Sequence, residues 1–147
     1  MSKRTHRRLN VPLGVEQEPR KFRSAITKSC GGGLVCWRFS SMDMGGPFSF
    51  ANVGGKTWKM LLARMKEWER MTWDELAGRR DHAIEVASLS PEAQRRLQEI
   101  GMDDIDEVFS LHLDGRRRLI GIRDERVFRL LWWDPEHKAC PSMKKHT

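Results

Sequence analysis

The stretch VFSLHLDGRRRLIGIRDERVFRLLWWDPEHKACPSMKKHT, residues 108–147, decides the fold of this chain. Its apolar runs are separated by Asp114-Gly115 and by Asp124-Glu125. An Asp-Gly pair supplies the positive φ angles of a tight hairpin turn. The last run stops at Asp134-Pro135, because proline cannot donate a hydrogen bond to a sheet. The stretch therefore predicts a three-stranded meander that carries an unusual number of Arg, Lys and His side chains.

The residues ahead of the meander predict helices and short strands. Apolar side chains recur at three- and four-residue spacing over residues 56–71, which indicates an amphipathic helix. Thr72 and Glu75 have the spacing of a capping box and start a short second helix. Ser90-Pro91 starts a third helix that ends at Gly101. Weaker alternation over residues 34–40 and 82–89 predicts strands.

This order of elements predicts an α+β domain, because helices that precede an antiparallel meander favour packing on one face of its sheet. Strand side chains alternate between the two faces. Arg118 and Ile120 then share one face of the sheet, and Arg117 and Leu119 share the other. We therefore expect one face to be core and the other to be basic.

Length and composition indicate one domain with a tail. The chain has 147 residues, 39% hydrophobic content and six Trp, which is enough for one core. Residues 1–33 have few aliphatic side chains and end in three glycines, so they predict a disordered tail ahead of a domain over residues 34–147. No apolar run is long enough for a secretion signal or a membrane span. We expect a cytoplasmic protein with no membrane partner.

The net charge of +7 is unevenly distributed. Residues 1–28 carry eight Lys or Arg against two Glu, and residues 116–147 carry nine basic residues against four acidic ones. Residues 41–115 are instead acidic, with nine basic and fourteen acidic residues. Because clustered positive charge attracts phosphates, the two basic parts favour a nucleic acid as partner.

The sequence predicts no cofactor and no metal. Phosphate-loop, dinucleotide, serine-hydrolase and zinc-protease motifs are absent from the sequence. The three cysteines, Cys30, Cys36 and Cys140, lack the second Cys-x-x-Cys pair of a zinc module, and the histidines lack paired ligand spacing. We expect Cys140 to be a small buried hydrophobic residue rather than a nucleophile.

The histidines near the end of the chain are candidates for proton transfer. A metal-independent ribonuclease needs a base that takes the 2′-hydroxyl proton and an acid that protonates the 5′ leaving oxygen. His137, beside Glu136, and His146 are the groups available near the chain end, with His112 and His82 in reserve. Each of these two histidines also has a purely structural interpretation. His137 could serve merely to cap the turn, and His146 could be part of a disordered chain end.

The basic side chains also allow two interpretations. Arginine forks match phosphate oxygens and stabilise the charge of a phosphorane-like transition state, but charged residues also guard exposed sheet edges. For Arg129 the alternative to a ligand is an ion pair with an acidic residue of the helices. For Trp132-Trp133 the alternatives are core packing and base stacking. The candidate nucleic-acid contacts are Arg116, Arg117, Arg129, Lys138, Lys144 and Lys145.

Helices followed by a meander with LHLDGRRRLIGIR on its first strands and DPEHK near its end resemble the RelE/ParE superfamily of small bacterial toxins. The resemblance covers roughly residues 56–147 and implies a compact α/β fold. RelE-type members cleave mRNA at the ribosome without a metal, and ParE-type members act on gyrase. It would place Arg118 or Arg123 at the phosphate and His137 or His146 at proton transfer. The chain is also similar to small bacterial proteins of unknown activity that end in LWWDPEH and KKHT.

Two functional hypotheses follow. The first is a RelE-like toxin that acts on RNA as a metal-independent endoribonuclease and is neutralised by an antitoxin that covers the basic sheet face. The second is a non-enzymatic module that binds nucleic acid or protein through the Arg-rich meander and the basic tail. The absence of Tyr favours the second hypothesis, because several RelE-type enzymes use a C-terminal Tyr.

Overall fold

The fold is seen in a computed structural model that describes residues 33–77 and 81–141. Residues 1–32 of the predicted tail lie outside the described residues, as do the candidates Lys144, Lys145 and His146. The strands are β1 (Cys36–Arg38), β2 (His82–Glu85), β3 (Glu107–Asp114), β4 (Arg117–Asp124) and β5 (Val127–Asp134). The helices are α1 (Gly55–Trp68), α2 (Trp73–Leu76) and α3 (Pro91–Glu99), with a short 3-10 helix over Val86–Ser88.

The α+β class and the C-terminal meander are confirmed. The five strands form one sheet in the order β1-β5-β4-β3-β2, in which β3, β4 and β5 are successive antiparallel neighbours. The sheet is mixed rather than purely antiparallel, because β1 pairs with β5 in parallel. That pairing joins residues about ninety positions apart, such as Trp37 and Phe128, and no local pattern predicts it.

The predicted helix starts are confirmed by their hydrogen bonds. The Thr72 hydroxyl accepts from the backbone N–H of Glu75, and the Glu75 carboxylate accepts from the backbone N–H of Thr72, so α2 has a complete capping box. The Ser90 hydroxyl accepts from the N–H of Ala93 and begins α3 with Pro91 in its first turn. Local side-chain chemistry thus sets where both helices begin.

The expectation of one core face and one basic face is wrong, because apolar residues cover both faces of the sheet. On one face, β-strand residues such as Leu119 and Phe128 join a core with α1 and α2. On the other face, Ile120 and Trp132 join a second core with α3. The predicted alternation itself holds for Leu119 and Ile120, but helices occupy the face that we expected to be basic.

A bulge in β5 places two consecutive residues in the same core. Leu119 pairs with Trp133 and Ile120 with Trp132, but Gly121 pairs with Leu130, which leaves Leu131 as the extra residue. Leu131 and Trp132 therefore both join the α3 core, whereas Trp133 returns to the other core. Trp132 is fully buried and Trp133 is 6% exposed. Both tryptophans therefore belong to the hydrophobic cores, which agrees with the core-packing interpretation and not with base stacking.

The first hairpin turn lies one residue later than predicted. Asp114 still pairs with Arg117, so the two loop residues are Gly115 and Arg116. Gly115 has a φ of 44°, and the ladder is irregular between His112 and Asp114. Both Asp114 carboxylate oxygens accept from the Arg117 guanidinium. This ion pair across the turn fits Asp114 as a strand end rather than as a turn residue.

A buried carboxylate ties the loop between β1 and α1 to the rest of the fold. The Asp43 side chain is 3% exposed and accepts two hydrogen bonds of 2.8 Å from the Arg96 guanidinium of α3. It also accepts from the Trp132 indole at 3.1 Å, and the Asp43 N–H donates to the Leu131 carbonyl. Asp43 therefore connects the loop between β1 and α1 to β5, at Leu131 and Trp132, and to α3, at Arg96.

Glycines make room for this ion pair. A Cβ at Gly46 would lie 2.4 Å from Arg96 Nε, and one at Gly45 would lie 2.9 Å from Arg96 Nη2. Gly46 also has a φ of 71°, which non-glycine residues rarely adopt. Within residues 43–46, Asp43 supplies the carboxylate that accepts from Arg96. Gly45 and Gly46 leave the space that the Arg96 guanidinium occupies.

We predict that Asp43→Asn lowers the free energy of unfolding by about 3 kcal/mol, the lower end of the range for breaking a buried ion pair. The lower end applies because the Arg96 side chain keeps 19% exposure. Urea denaturation at pH 7 measures this effect. The matched control is Asp103→Asn, an exposed residue ahead of β3, which should stay within about 0.5 kcal/mol of the parent protein.

The same pair predicts a pH dependence. Burial alone would raise the pKa of Asp43, but hydrogen bonds from Arg96, Gly45 and Trp132 outweigh it and lower the pKa below the ordinary 3.8. The stabilisation is therefore complete above about pH 4 and is lost as the pH falls through the folded-state pKa. The Asn variant should lack this acid-dependent loss. A parent and a variant with parallel stability curves below pH 4 would contradict the account.

Candidate functional site

A row of polar residues crosses three strands at one end of the sheet. His112 on β3 pairs with Arg118 on β4, and Arg118 pairs with Asp134 on β5. Side chains of directly opposed residues lie on the same face of a sheet. Ile120 and Trp132, two residues further along, belong to the α3 core. The row therefore lies on the α3 face, beyond the edge of that core.

The turn between β3 and β4 holds two members of the row together. His112 Nε2 lies 3.3 Å from the Gly115 carbonyl oxygen, and Arg118 Nη1 donates to the same oxygen at 3.0 Å. Since both contacts meet at one atom, the two nitrogens lie within about 6 Å of each other. A carbonyl only accepts, so the proton in the histidine contact belongs to Nε2.

Asp134 forms the turn that carries His137. Asp134 is 1% exposed, and its two carboxylate oxygens accept from the backbone N–H groups of Lys138 and Ala139, each at 2.9 Å. His137 has a φ of 58°, an unusual conformation for a residue with a Cβ. The turn is therefore capped by Asp134 and not by His137. His137 itself is half-buried and lies within electrostatic range of Arg118 and Asp134.

The electrostatic surroundings of His137 favour a neutral imidazole. Burial lowers the pKa of His137 below the ordinary 6.5, and the positive charge of Arg118 lowers it further, against an opposing effect of Asp134. His82 and His112 are also close enough to influence the same pKa. The four residues His112, Arg118, Asp134 and His137 are called the histidine site below.

Asp81 supports the β3 side of the histidine site. Its carboxylate accepts the backbone N–H of His112 at 2.6 Å, which extends the ladder between β2 and β3 by one bond. Burial raises the pKa of Asp81, and the nearby His112 and Arg118 oppose that rise. Arg118 therefore lies among both carboxylates and imidazoles.

Arg123, the other arginine that the resemblance would place at the phosphate, lies far from the histidine site. Arg123 is five residues beyond Arg118 on β4, a distance of about 17 Å at the usual rise per strand residue. Its guanidinium carbon lies 4.6 Å from the centroid of the Trp73 ring on the α2 side of the sheet. Of the two arginines, Arg118 and not Arg123 thus lies within electrostatic range of His137.

The predicted nucleic-acid contacts are dispersed, and several lie beside carboxylates. Arg117 pairs with Asp114, and Lys138 Nζ lies 2.5 Å from a Glu136 oxygen. Arg129 is 5% exposed and contacts Asp124 at 3.3 Å, so its acidic partner lies on the neighbouring strand and not on the helices. Burial lowers the pKa of the Arg129 guanidinium, and Asp124 opposes that shift. Arg116 is exposed in the first turn.

Two open clefts lie outside the histidine site. One, of about 410 Å³, lies between the loop ahead of α1 and the strand ends, and its lining includes Arg117, Trp133 and Pro135. The other, of about 590 Å³, has acidic residues such as Asp106 and Glu125 around Arg123. Neither is lined by a member of the histidine site.

By sequence, His112 and His82 are only secondary candidates for proton transfer, and Asp134 is predicted only to end a strand. The pairing of β3 with β4 brings His112 opposite Arg118, and the strand alternation in LHLDGRRR could have indicated it once the turn was placed correctly. His82 could not have been placed from sequence, because it reaches this end of the sheet only through the pairing of β2 with β3.

Within residues 33–77 and 81–141, no group of three or more His, Cys, Asp or Glu side chains is placed to hold a metal ion. Over the same residues, none of the helices combines the length and the apolar character that a membrane crossing requires. Comparisons of the chain with protein-family models, curated proteins and solved structures found no match. The resemblance to RelE/ParE toxins therefore stays a prediction.

We predict that His137 titrates below pH 6.5 and that Arg118→Gln raises its pKa, because the substitution removes a neighbouring positive charge. Histidine ring NMR signals followed from pH 4 to 9 measure both midpoints. Arg123→Gln is the matched control, since it removes the same charge from the far end of β4. Equal His137 midpoints in the parent and the Arg118→Gln protein would contradict the proposed proximity.

Proposed function

We propose that this protein is a RelE-like, toxin-type endoribonuclease that cleaves RNA without a metal ion. The observation that carries the proposal is the row of His112, Arg118 and Asp134 across three strands, with His137 within electrostatic range of Arg118. A base and a phosphate-binding cation are two of the groups that transesterification of RNA requires.

His137 is suited to act as the base. Because burial and Arg118 lower the pKa of His137, its imidazole is neutral at pH 7 and can accept the proton of a ribose 2′-hydroxyl. Arg118 would bind the scissile phosphate and stabilise the additional negative charge of the transition state. The 2′-oxygen would then attack phosphorus and leave a 2′,3′-cyclic phosphate at the new end.

The non-enzymatic alternative is less well supported. A broad phosphate-binding surface needs several accessible cations, since each phosphate contact adds to affinity by releasing counterions. Among the described candidates, Arg117, Lys138 and Arg129 each contact a carboxylate. These contacts weigh against phosphate binding by the meander as a whole.

The proposal extends to partners and location. RNA, free or on the ribosome, is the proposed substrate, and an antitoxin that covers the histidine site would inhibit the enzyme. We propose that this activity takes place in the cytoplasm, where the protein would encounter both RNA and the antitoxin. The basic residues of the chain's first 28 positions would add non-specific affinity for RNA.

We predict that the purified full-length protein cleaves RNA in the presence of EDTA. His137→Ala should lower the cleavage rate by about 10²–10⁴-fold, the usual contribution of a general base. Arg118→Ala should lower it by about 10²–10³-fold, the usual cost of a lost transition-state donor. Gel electrophoresis of end-labelled RNA, incubated with and without ribosomes, measures these rates. Induction of the parent gene should also arrest growth.

Arg123→Ala is the matched control, because it removes an arginine of the same strand at the opposite end of β4. It should keep the parent cleavage rate, and circular dichroism should show that all variants are folded. No cleavage by the parent protein on RNA or ribosomes, or unchanged cleavage by folded His137→Ala, would contradict the proposed function.

A further inference from the structure

We propose that His112 is the general acid of the histidine site and protonates the 5′ leaving oxygen while His137 accepts the 2′ proton. This inference rests on the proposed function and adds a second catalytic residue to it. The observations that carry it are the pairing of His112 with Arg118 across two strands and the hydrogen bond that orients the His112 ring.

His112 lies directly beside Arg118. It is on β3, opposite Arg118 on β4, and its Nε2 lies 3.3 Å from the Gly115 oxygen to which Arg118 also donates. A phosphate bound at Arg118 would therefore lie next to the His112 imidazole. In-line displacement needs the acid and the base on opposite sides of phosphorus, because the attacking and leaving oxygens lie on opposite sides. The proposal assigns the leaving-oxygen side to His112 and the attacking side to His137, which lies within electrostatic range of Arg118.

The hydrogen bond to Gly115 leaves one nitrogen of His112 available for chemistry. Nε2–H donates to the Gly115 carbonyl, which also accepts from Arg118. In the imidazolium form, Nδ1–H is then the proton that can be donated to a leaving oxygen. The carboxylates of Asp81 and Asp114 lie within electrostatic range of His112, as does the Arg118 guanidinium across the strands.

His82 is a weaker candidate for the acid. It lies on the same face of the sheet, but it pairs with Ser110, one row nearer the α3 core, and not with a residue of the polar row. It also lies on the edge strand β2, one strand further from Arg118. His82 therefore serves as a matched control for an imidazole at the same end of the sheet.

The proposed step balances without a further reactant. The 2′-oxygen loses its proton to His137 and forms a bond to phosphorus, while the bond between phosphorus and the 5′-oxygen breaks. The 5′-oxygen takes the Nδ1 proton of His112 and leaves as a hydroxyl. The products are a 2′,3′-cyclic phosphate and a 5′-hydroxyl end. Exchange of protons with water then returns both histidines to their starting forms.

The test compares two versions of an RNA that the parent protein cleaves. One has the ordinary linkage, and the other carries sulfur in place of the 5′-bridging oxygen at the cleaved bond. A thiolate leaves without a proton, so it makes a general acid unnecessary. His112→Ala should slow cleavage of the ordinary RNA by about 10²–10⁴-fold and of the sulfur-containing RNA by less than about tenfold.

The other variants keep the outcomes distinguishable. His137→Ala should slow cleavage of both RNAs, and His82→Ala should slow neither. Should His112→Ala fold poorly, His112→Gln serves instead, because its amide N–H can still donate to the Gly115 carbonyl. Loss of both cleavages in folded His112 variants, or sulfur rescue of His82→Ala, would overturn the assignment of His112. Unchanged cleavage by His137→Ala would instead overturn the proposed function.

Discussion

The register that pairs β4 with β3 on one side and with β5 on the other is the constraint on which the rest of the structure depends. A shift of one residue would move every side chain of β4 to the opposite face. Leu119 would then leave one core and Ile120 the other, and Arg118 would no longer lie opposite His112 and Asp134. The forces that pack the two cores therefore also assemble the histidine site.

The bulge at Leu131 and the ion pair at Asp43 stabilise this register from the β5 side. The bulge places Leu131 and Trp132 on the α3 face, and Asp43 bonds to both residues while it binds Arg96 of α3. Gly121 allows the β4 backbone to pass the ring of Phe128, since a Cβ there would lie 2.4 Å from Phe128 Cε1. Close packing at the centre of the sheet thus leaves few alternative pairings.

Sequence reasoning predicted what local patterns encode. The meander, the α1 stripe and the caps at Thr72 and Ser90 each depend on neighbours within a few residues, and the structure has all of them. The parallel pairing of β1, the second core under α3 and the Asp43 contact with Arg96 depend on residues far apart in sequence. Polarity alone led to the wrong expectation of a basic sheet face. Within the site, His137 and Arg118 could be named from the sequence alone. The position of His112 opposite Arg118 could not, because it depends on the register between β3 and β4.

The central claim is that His112, Arg118 and His137 form one site for a nucleic-acid phosphate. The most direct measurement is an NMR titration with a single-stranded DNA oligonucleotide, which lacks the 2′-hydroxyl and stays intact. The account predicts that the ring signals of His112 and His137 shift with the same dissociation constant and that Arg118→Gln abolishes both shifts. Signals near Arg123 should stay unchanged. Shifts that appear only around Arg123, or that survive Arg118→Gln, would contradict it.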